Sequence, residues 1–580
     1  MNLKRSLLIC LIACLFLACD NNPKPVADSR NNDYAMYDHK GDFHRLSYYN
    51  DQKAIVLWVQ GNGCPIVRNA LTDFKEVVDA YKEKEVVFFM LNSNIQDDRG
   101  KIANEAEAFN FEVPVLVDSA QLIADELDIT ITAEAIVLHP VTREVLFRGP
   151  INDRLDYEAK KDNIENHYLA DALDKILSGS LPKKKTQLAK GCKVTRLRTL
   201  QKNDTLTYTK DIAPLLAQNC VRCHRDGGIA PWAMTDYNTV SGWSAMMKEV
   251  LLSKRMPPWK ADPEVGEFTN SFAMGDSSAR KIVSWIDAGI PYGSGNDPLM
   301  AVSYENGVWE SGAPDLVVTL DKEKIPASEL IPYRYQELDL KLKEDKWLRG
   351  VDMMPGNPAV VHHFVLTNRD TNEQTTIINR KARPWTDNYI AIGNGTEQAI
   401  FFPENTGVFL RKGTQLTMQI HYTGTGKPET DVTKIGLYFH DSIPKKEYRA
   451  LSPANVRFRI PPYAKEFPLT ISDTITKAIT IHSVSPHMHY RGKSIKLFAV
   501  FPDGTEHLLI SVGDYNFNWQ WFYILKEPFS VPAGTIMRVD GIFDNSYQNP
   551  INPDPTVPLG FGLQSRDEML IGFFNYTLDD

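Results

Sequence analysis

Three sets of side chains in this sequence have the types and spacing to do chemistry. The first is Cys220-Val221-Arg222-Cys223-His224, a CxxCH run. Two thiols three positions apart with a histidine immediately after are the attachment signal for a c-type haem: the thiols form thioethers and His224 ligates the iron from beneath. A zinc half-site or a redox CxxC is the alternative, but no second ligand pair follows at zinc spacing. The second set is histidine-rich: Val361-His362-His363-Phe364, Gln419-Ile420-His421-Tyr422 and Pro486-His487-Met488-His489, followed by Asp567-Glu568-Met569. On a strand, residues two apart share a face, so His487 and His489 form half of a metal site. Imidazole suits copper in both oxidation states, and a thioether favours Cu(I). The ordered set points to two copper ions, one held by His362, His363 and His421, the other by His487, His489 and Met569. The third set is a pair of single thiols, Cys64 and Cys192.

For the iron's sixth ligand the best candidate is Met256, in Arg255-Met256-Pro257-Pro258, where the prolines end a helix and stiffen the loop; Met234, Met246, Met247 and Met274 are rivals. His/Met ligation leaves no open position, so this group would pass electrons. His440, His482 and His507 read as surface or internally satisfied histidines. His362 and His363 are neighbours and cannot face the same way on a regular strand, so a bulge or strand end is expected there.

The elements that must hold these groups follow from the pattern. Residues 1–19 carry Lys4 and Arg5, then an apolar run from Leu7 to Ala18 that is too short to cross a bilayer as a helix. The run ends at Leu17-Ala18-Cys19 and resembles a bacterial lipoprotein signal, with Cys19 as the lipidated residue and 20–34 as a tether; an ordinary cleaved signal or an uncleaved anchor is the alternative. The expected location is therefore outside the cytoplasm, on a bacterial membrane facing the periplasm or the cell surface. Residues 35–179 alternate strands (Ala54–Val59, Val86–Leu91, Val113–Val117) with helices (Ile66–Tyr81, His167–Leu177), a βαβ pattern. With Cys64 at the start of a helix after the first long strand, the segment resembles the thioredoxin and peroxiredoxin-like superfamily. It departs from that family at Gly61, where the first cysteine of a CxxC would stand, and at Thr132-Ala133, where a cis-proline is usual. That leaves either a redox cycle with Cys192 as resolving thiol, or a structural domain with a static thiol or a Cys64–Cys192 disulfide. Residues 180–206 are cation-rich and read as a solvated linker.

Residues 207–295 contain CxxCH at the end of a helix (Tyr208–Asn219), with further helices at Trp243–Ser253 and Ser277–Ala288, and resemble a class I cytochrome c. From Pro314 onward short strands alternate with Gly, Pro, Asn and Asp turns, which predicts two all-β jelly-roll sandwiches, 312–455 and 456–580. Their four histidine and methionine motifs resemble, in order, those of the copper type II ascorbate-dependent monooxygenases, the group of the peptidylglycine α-hydroxylating enzyme and dopamine β-hydroxylase. The resemblance implies the ligand sets named above, a small organic or peptide-like substrate, O2, and an external electron donor. No cysteine follows Cys223, so the disulfides usual in that family are absent here. The fold class expected is thus multidomain: α/β thioredoxin-like, all-α cytochrome c-like, then two all-β sandwiches, an order that also looks like that of exported bacterial multidomain proteins.

The chain of 580 residues is 43% hydrophobic and 24% charged, within the range of globular proteins, and carries a net charge of −9. With no basic face and no lysine and arginine cluster interleaved with aromatics, nothing points to nucleic acid. The reading is an oxidoreductase in which a haem c domain feeds electrons to a copper hydroxylase, with a copper-binding electron carrier or a thiol-disulfide oxidoreductase as alternatives.

Overall fold

The structure, a computed structural model, describes residues 33–579 apart from 156–160, 162, 183–187, 198–205, 304–308, 310, 328–330, 369–376, 378–387 and 394–398. The signal-like leader, Cys19 and all but the last residues of the tether lie outside the described residues. Among those described, no helix is long and apolar enough to cross a membrane.

The first domain is a thioredoxin-like α/β unit. Its five-stranded sheet runs Val115–Val117, Val86–Asn92, Ala54–Gln60, Ala135–Leu138, Val145–Gly149. The first three strands are parallel and the last two close as an antiparallel hairpin. Ala54–Gln60 is buried along its whole length, as expected of a central strand covered on both faces. Alternate residues go to opposite sides: Val56 and Trp58 pack under the helix Pro65–Tyr81, whereas Ile55, Leu57 and Val59 face a second layer. That second layer includes Leu252 and Val283 from the helical segment that follows, so this segment is docked on the sheet.

The helical segment comprises Ala213–Asn219, Tyr237–Gly242, Ser244–Leu252 and Asp276–Asp287. The single helix expected over Tyr208–Asn219 is broken: Tyr208–Ile212 is a π-type turn, and Pro214, which lacks an N–H donor, stands at the start of the α-helical part.

The rest is all-β and forms two sandwiches. The first pairs a sheet of Arg334–Asp339, Gln415–Tyr422, Val361–Asn368 and Tyr389–Gly393 with one containing Thr406–Leu410, Lys346–Met354, Lys434–Phe439 and Leu316–Thr319. The second has a sheet of Arg449–Leu451, Leu570–Leu578, Ile479–Met488 and Tyr523–Val531 over one of Phe467–Thr474, Ile536–Phe543, Gly492–Val500 and Glu506–Val512. The boundary falls earlier than the sequence indicates. Arg449–Leu451 pairs with Leu570–Leu578, so it belongs to the second sandwich and not to a unit ending at 455. The last strand and the residue before it face both cores: Leu570, Phe574 and Tyr576 join the second core, while Met569, Ile571 and Phe573 join the first. The two histidine-bearing sheets therefore meet face to face.

Candidate functional site: two histidine clusters, a cysteine-lined cavity and a buried disulfide

The strands Val361–Asn368 and Gln415–Tyr422 place His363 directly opposite His421. The register slips between Val361 and His363, the bulge that the adjacent pair requires, and the extra residue is His362. The result is convergence. His362 Nδ1 lies 3.1 Å from His363 Nδ1 and 3.2 Å from His421 Nδ1. Among the described residues these three form the one group of histidine, cysteine or carboxylate donors gathered within 4.8 Å of one another. All are buried, at 8%, 1% and 2% exposure. Burial pushes the His362 ring down to about 4. Burial, reinforced by His362, takes His421 down to about 3. His363 is held well below its usual value by burial and its imidazole neighbours. Three neutral rings pointing nitrogen atoms at one spot are a donor set for a metal that prefers imidazole.

The second cluster lies on Ile479–Met488 and the residue after it. The His487 and His489 ring centroids are 5.1 Å apart and nearly perpendicular. Each ring is oriented through Nδ1: His487 donates to Gln520 Oε1 at 2.6 Å, and His489 donates to the Asp567 carbonyl at 3.1 Å. The amide nitrogen of Gln520 donates in turn to the Phe517 carbonyl, which fixes which end of the amide faces His487. These bonds leave Nε2 as the acceptor on each ring. His489 Nε2 is buried and has no hydrogen-bond partner, an orphan of the kind a ligand accounts for. Burial lowers His487 to about 4 and holds His489 well below its usual value. Opposite, His487 faces Ile571 in the ladder, which ends at Met488 and Leu570. Met569 is the next residue, 6% exposed, and shares with Ile571 and Phe573 the face turned to the first sandwich. Its neighbour Glu568 is fully buried and pushed up to about 8 by burial, although the His489 and Arg491 backbone N–H groups donate to its carboxylate.

The two clusters share a wall. The Phe517 ring lies 6.0, 5.7 and 5.4 Å from His362, His363 and His421, and 5.7 Å from His489. Tyr333 bridges the same gap, 5.1 Å from His421 and 6.3 Å from His489. Sequence reasoning did not find Phe517, Gln520 or Tyr333. The one local signal is the density of rings in Phe517-Asn518-Trp519-Gln520-Trp521, too rich in aromatics for a solvated turn.

The CxxCH motif lines a cavity of about 330 Å3 together with Met234, Met246, Met247, Met256 and Met274. Cys220 and Cys223 are free thiols. Burial pushes Cys220 up to about 12 and also raises Cys223, so neither is poised as a thiolate for exchange chemistry. His224 Nδ1 donates to the Trp232 carbonyl at 3.0 Å, leaving Nε2 as the ring's acceptor. The thiols, the histidine and a wall of methionine, leucine and tryptophan fit a covalently held porphyrin. All five candidate methionines border the cavity, so lining it does not by itself single out Met256.

Cys64 caps the helix Pro65–Tyr81 and is bonded to Cys192 in a disulfide. At residues 191–194 this corrects the reading of 180–206 as a solvated connector; 183–187 and 198–205 lie outside the described residues. Cys192 N donates to Thr132 Oγ1, Thr132 N to the Cys192 carbonyl, and Val194 N to the Thr130 carbonyl, each at 2.9 Å. Gly191 must be glycine here, since a Cβ would lie 1.9 Å from the Thr132 carbonyl oxygen. Three further histidines of the β region are held by the chain: His440 bonds the Thr406 carbonyl, His482 Nε2 bonds Thr577, and His507 stacks on Phe529.

Residues 28–147 match the AhpC/TSA family. The first domain is accordingly of thioredoxin and peroxiredoxin type, an oxidoreductase fold. Similar solved structures include a hypothetical protein from Sinorhizobium meliloti 1021 (22% identity over 29% of this chain and 92% of that one, TM-score 0.26). A peroxidoxin from Mycobacterium tuberculosis is 18% identical over 25% of this chain and 90% of that one, with TM-score 0.20. A secreted disulfide oxidoreductase from the same organism is 15% identical over 26% and 99%, with TM-score 0.19. No curated protein matches the chain. These likenesses speak to neither the haem nor the copper assignment.

Proposed function

We propose that this chain is a copper-dependent monooxygenase that hydroxylates a small organic or peptide-like substrate with O2, using electrons delivered through its own haem c. The observation that carries the reading is the convergence of three buried, neutral Nδ1 atoms at His362, His363 and His421, beside a second pair, His487 and His489, with an orphaned Nε2. Copper bound by these donors supplies one-electron redox chemistry and reactivity toward O2. His362, His363 and His421 would hold one ion; His487, His489 and Met569 would hold the other, where the thioether stabilises the reduced state. A haem fixed at Cys220 and Cys223, with His224 and Met256 as ligands, supplies electron transfer without an open coordination site.

The reaction balances as one O2, two electrons and two protons: one oxygen atom enters a substrate C–H bond and the other leaves as water. The chain's own contributions are orientation and exclusion of water. Gln520 and the Asp567 carbonyl set the His487 and His489 rings, and Phe517 and Tyr333 fill the space between the clusters. An external one-electron donor completes the cycle. A lipid at Cys19 would tether the enzyme to a bacterial membrane facing the periplasm or the cell surface.

Metal analysis of the mature protein should give two copper ions and one low-spin haem per chain, with copper-stimulated O2 consumption. His489→Ala should abolish turnover and leave the haem spectrum intact. Haem without copper after reconstitution sinks the monooxygenase, and copper without O2 consumption leaves an electron-carrier lipoprotein.

A second reading, a thiol-disulfide oxidoreductase, is favoured by the Cys64–Cys192 disulfide at a helix N-terminus in a domain matching the AhpC/TSA family. It predicts that the reduced full chain reduces insulin or a peroxide and that Cys64→Ser loses this.

A further inference from the structure

Between the cavity and the histidine clusters runs one short segment, Asn516–Trp521, and consecutive residues of it touch different sites. Trp519 lines the cavity with Cys220, Cys223, His224 and Met256. The residue before it, Asn518, lies beside His362, chiefly through its backbone. The residue after it, Gln520, accepts from His487 Nδ1 at 2.6 Å. Phe517 packs its ring against His362, His363, His421 and His489.

We propose that Asn516–Trp521 is the electron path of this protein, with Trp519 as its entry at the cavity and two exits, Asn518 to His362 and Gln520 to His487. The proposal rests on the haem and copper reading given above. Tunnelling falls steeply with distance, and less steeply along bonded atoms than across gaps. Here one peptide link separates the cavity wall from a residue touching either cluster. The segment is also held still. The Trp521 indole donates to the Pro258 carbonyl at 2.8 Å, two residues beyond Met256. Its ring lies 4.6 Å from Phe272, another cavity residue, and is within 5° of parallel to that of Trp519. Trp519 N donates to the Asn516 carbonyl, and the Gln520 amide to the Phe517 carbonyl. No residue from 516 to 521 is ionisable at neutral pH, so an electron crosses without a charged trap and without moving a proton. Each crossing oxidises one ferrous haem to ferric and reduces one Cu(II) to Cu(I). Two crossings, each replenished by a one-electron donor of the ascorbate class, supply the two electrons.

The test uses the full chain carrying haem and Cu(II), under anaerobic conditions. The haem is photoreduced by a flash, and its reoxidation is followed optically alongside loss of the Cu(II) paramagnetic signal. Trp519→Leu should slow reoxidation by roughly tenfold or more while haem spectrum and copper content stay unchanged, and Trp519→Phe should restore most of the rate. Reoxidation in Trp519→Leu within about twofold of the unaltered rate overturns the path. Should Trp519→Leu lose its haem, Trp519→Met, which keeps an apolar side chain at the cavity wall but no ring, decides the matter. An unchanged reoxidation rate in that variant with haem and copper retained overturns the proposal. If the unaltered protein holds copper and haem but Cu(II) never reoxidises the haem, the relay reading itself fails, a result distinct from the variant comparison.

Discussion

The thiol site and the histidine sites differ in how much of their bonding capacity the chain itself consumes. Cys64 is closed by Cys192, and the segment that brings Cys192 is stitched to Thr130 and Thr132 by two backbone bonds and one from Cys192 N to the Thr132 hydroxyl. The histidines are closed on only one side. His487 and His489 each spend Nδ1 on an orienting acceptor and keep Nε2 in reserve, and the His362, His363 and His421 nitrogens face one another without room for three protons. Buried polar atoms without partners cost about 1–3 kcal/mol each, and a ligand at His362 Nε2 and His489 Nε2 would remove that cost there. The sealed site is a place of stability and the open one a place of binding.

The largest expected effect breaks the open side. His421→Ala should remove one copper per chain and abolish hydroxylation, while the optical haem spectrum and the Cys64–Cys192 disulfide are unaltered. Retention of two coppers per chain would show that the converging rings are only packed.

Next is the junction that decides whether the two regions are independent. Asp514, in the second sandwich, receives Lys260 at 2.6 Å, Arg45 at 2.9 Å and Tyr48 at 3.0 Å, so it ties the first domain and the helical segment to the β region. Burial acts to raise its carboxyl, but Lys260 and Arg45 more than offset this and hold it below the usual range. A lowered carboxylate contributes stability that is present above its unfolded value, near 4, and is lost as pH falls through the folded one. The junction should therefore be insensitive to pH from neutrality down to about 4 and loosen below it. Asp514→Asn leaves Lys260 buried without its counter-ion and should cost about 3–5 kcal/mol, read as a lowered melting temperature. No change would mean that the apolar contacts alone hold the regions together.

Breaking the sealed side should cost less and leave the metals untouched. Cys192→Ser opens a disulfide that spans 128 residues of sequence. It should destabilise the first domain by about 2–4 kcal/mol, with copper and haem content unchanged. Loss of copper in this variant would mean that the two regions are coupled, contrary to the comparison.

How much of this could be read in the sequence divides along the same line. Local chemistry is legible. CxxCH is five adjacent residues, and the His362–His363 pair announces its own bulge, because a strand with period two cannot aim neighbours together. Partners distant in sequence are legible only where residue types announce them, as the two single thiols Cys64 and Cys192 do; the packing that brings them together is not. Cys192 sits in a run whose bonding to Thr130 and Thr132 goes through the backbone, so it shows neither apolar alternation nor helical spacing and reads as a linker. The sandwich boundary is not legible to the residue, because Arg449–Leu451 is short and its assignment depends on pairing with the last strand, over a hundred residues on. Phe517 and Tyr333 touch the histidines only once both sandwiches have formed.

The smallest effect sharpens the comparison most. Gln520 touches no metal in the proposed arrangement; it holds His487 by one hydrogen bond, from Nδ1 to Oε1, and is 1% exposed. If the open site depends on rings being set by acceptors behind them, Gln520→Leu should keep both His487 and His489 yet weaken copper binding at that cluster by about 10–100-fold. Gln520→Glu, which keeps an acceptor at the same reach, should recover most of the loss. The first cluster, whose rings are set by the His362 bulge rather than by Gln520, should keep its copper in both variants. Copper titration followed by paramagnetic resonance separates the two sites, since only one of two signals should shift. Equal weakening at both clusters would mean that Gln520 acts by supporting the shared Phe517 wall and not by orienting one ring.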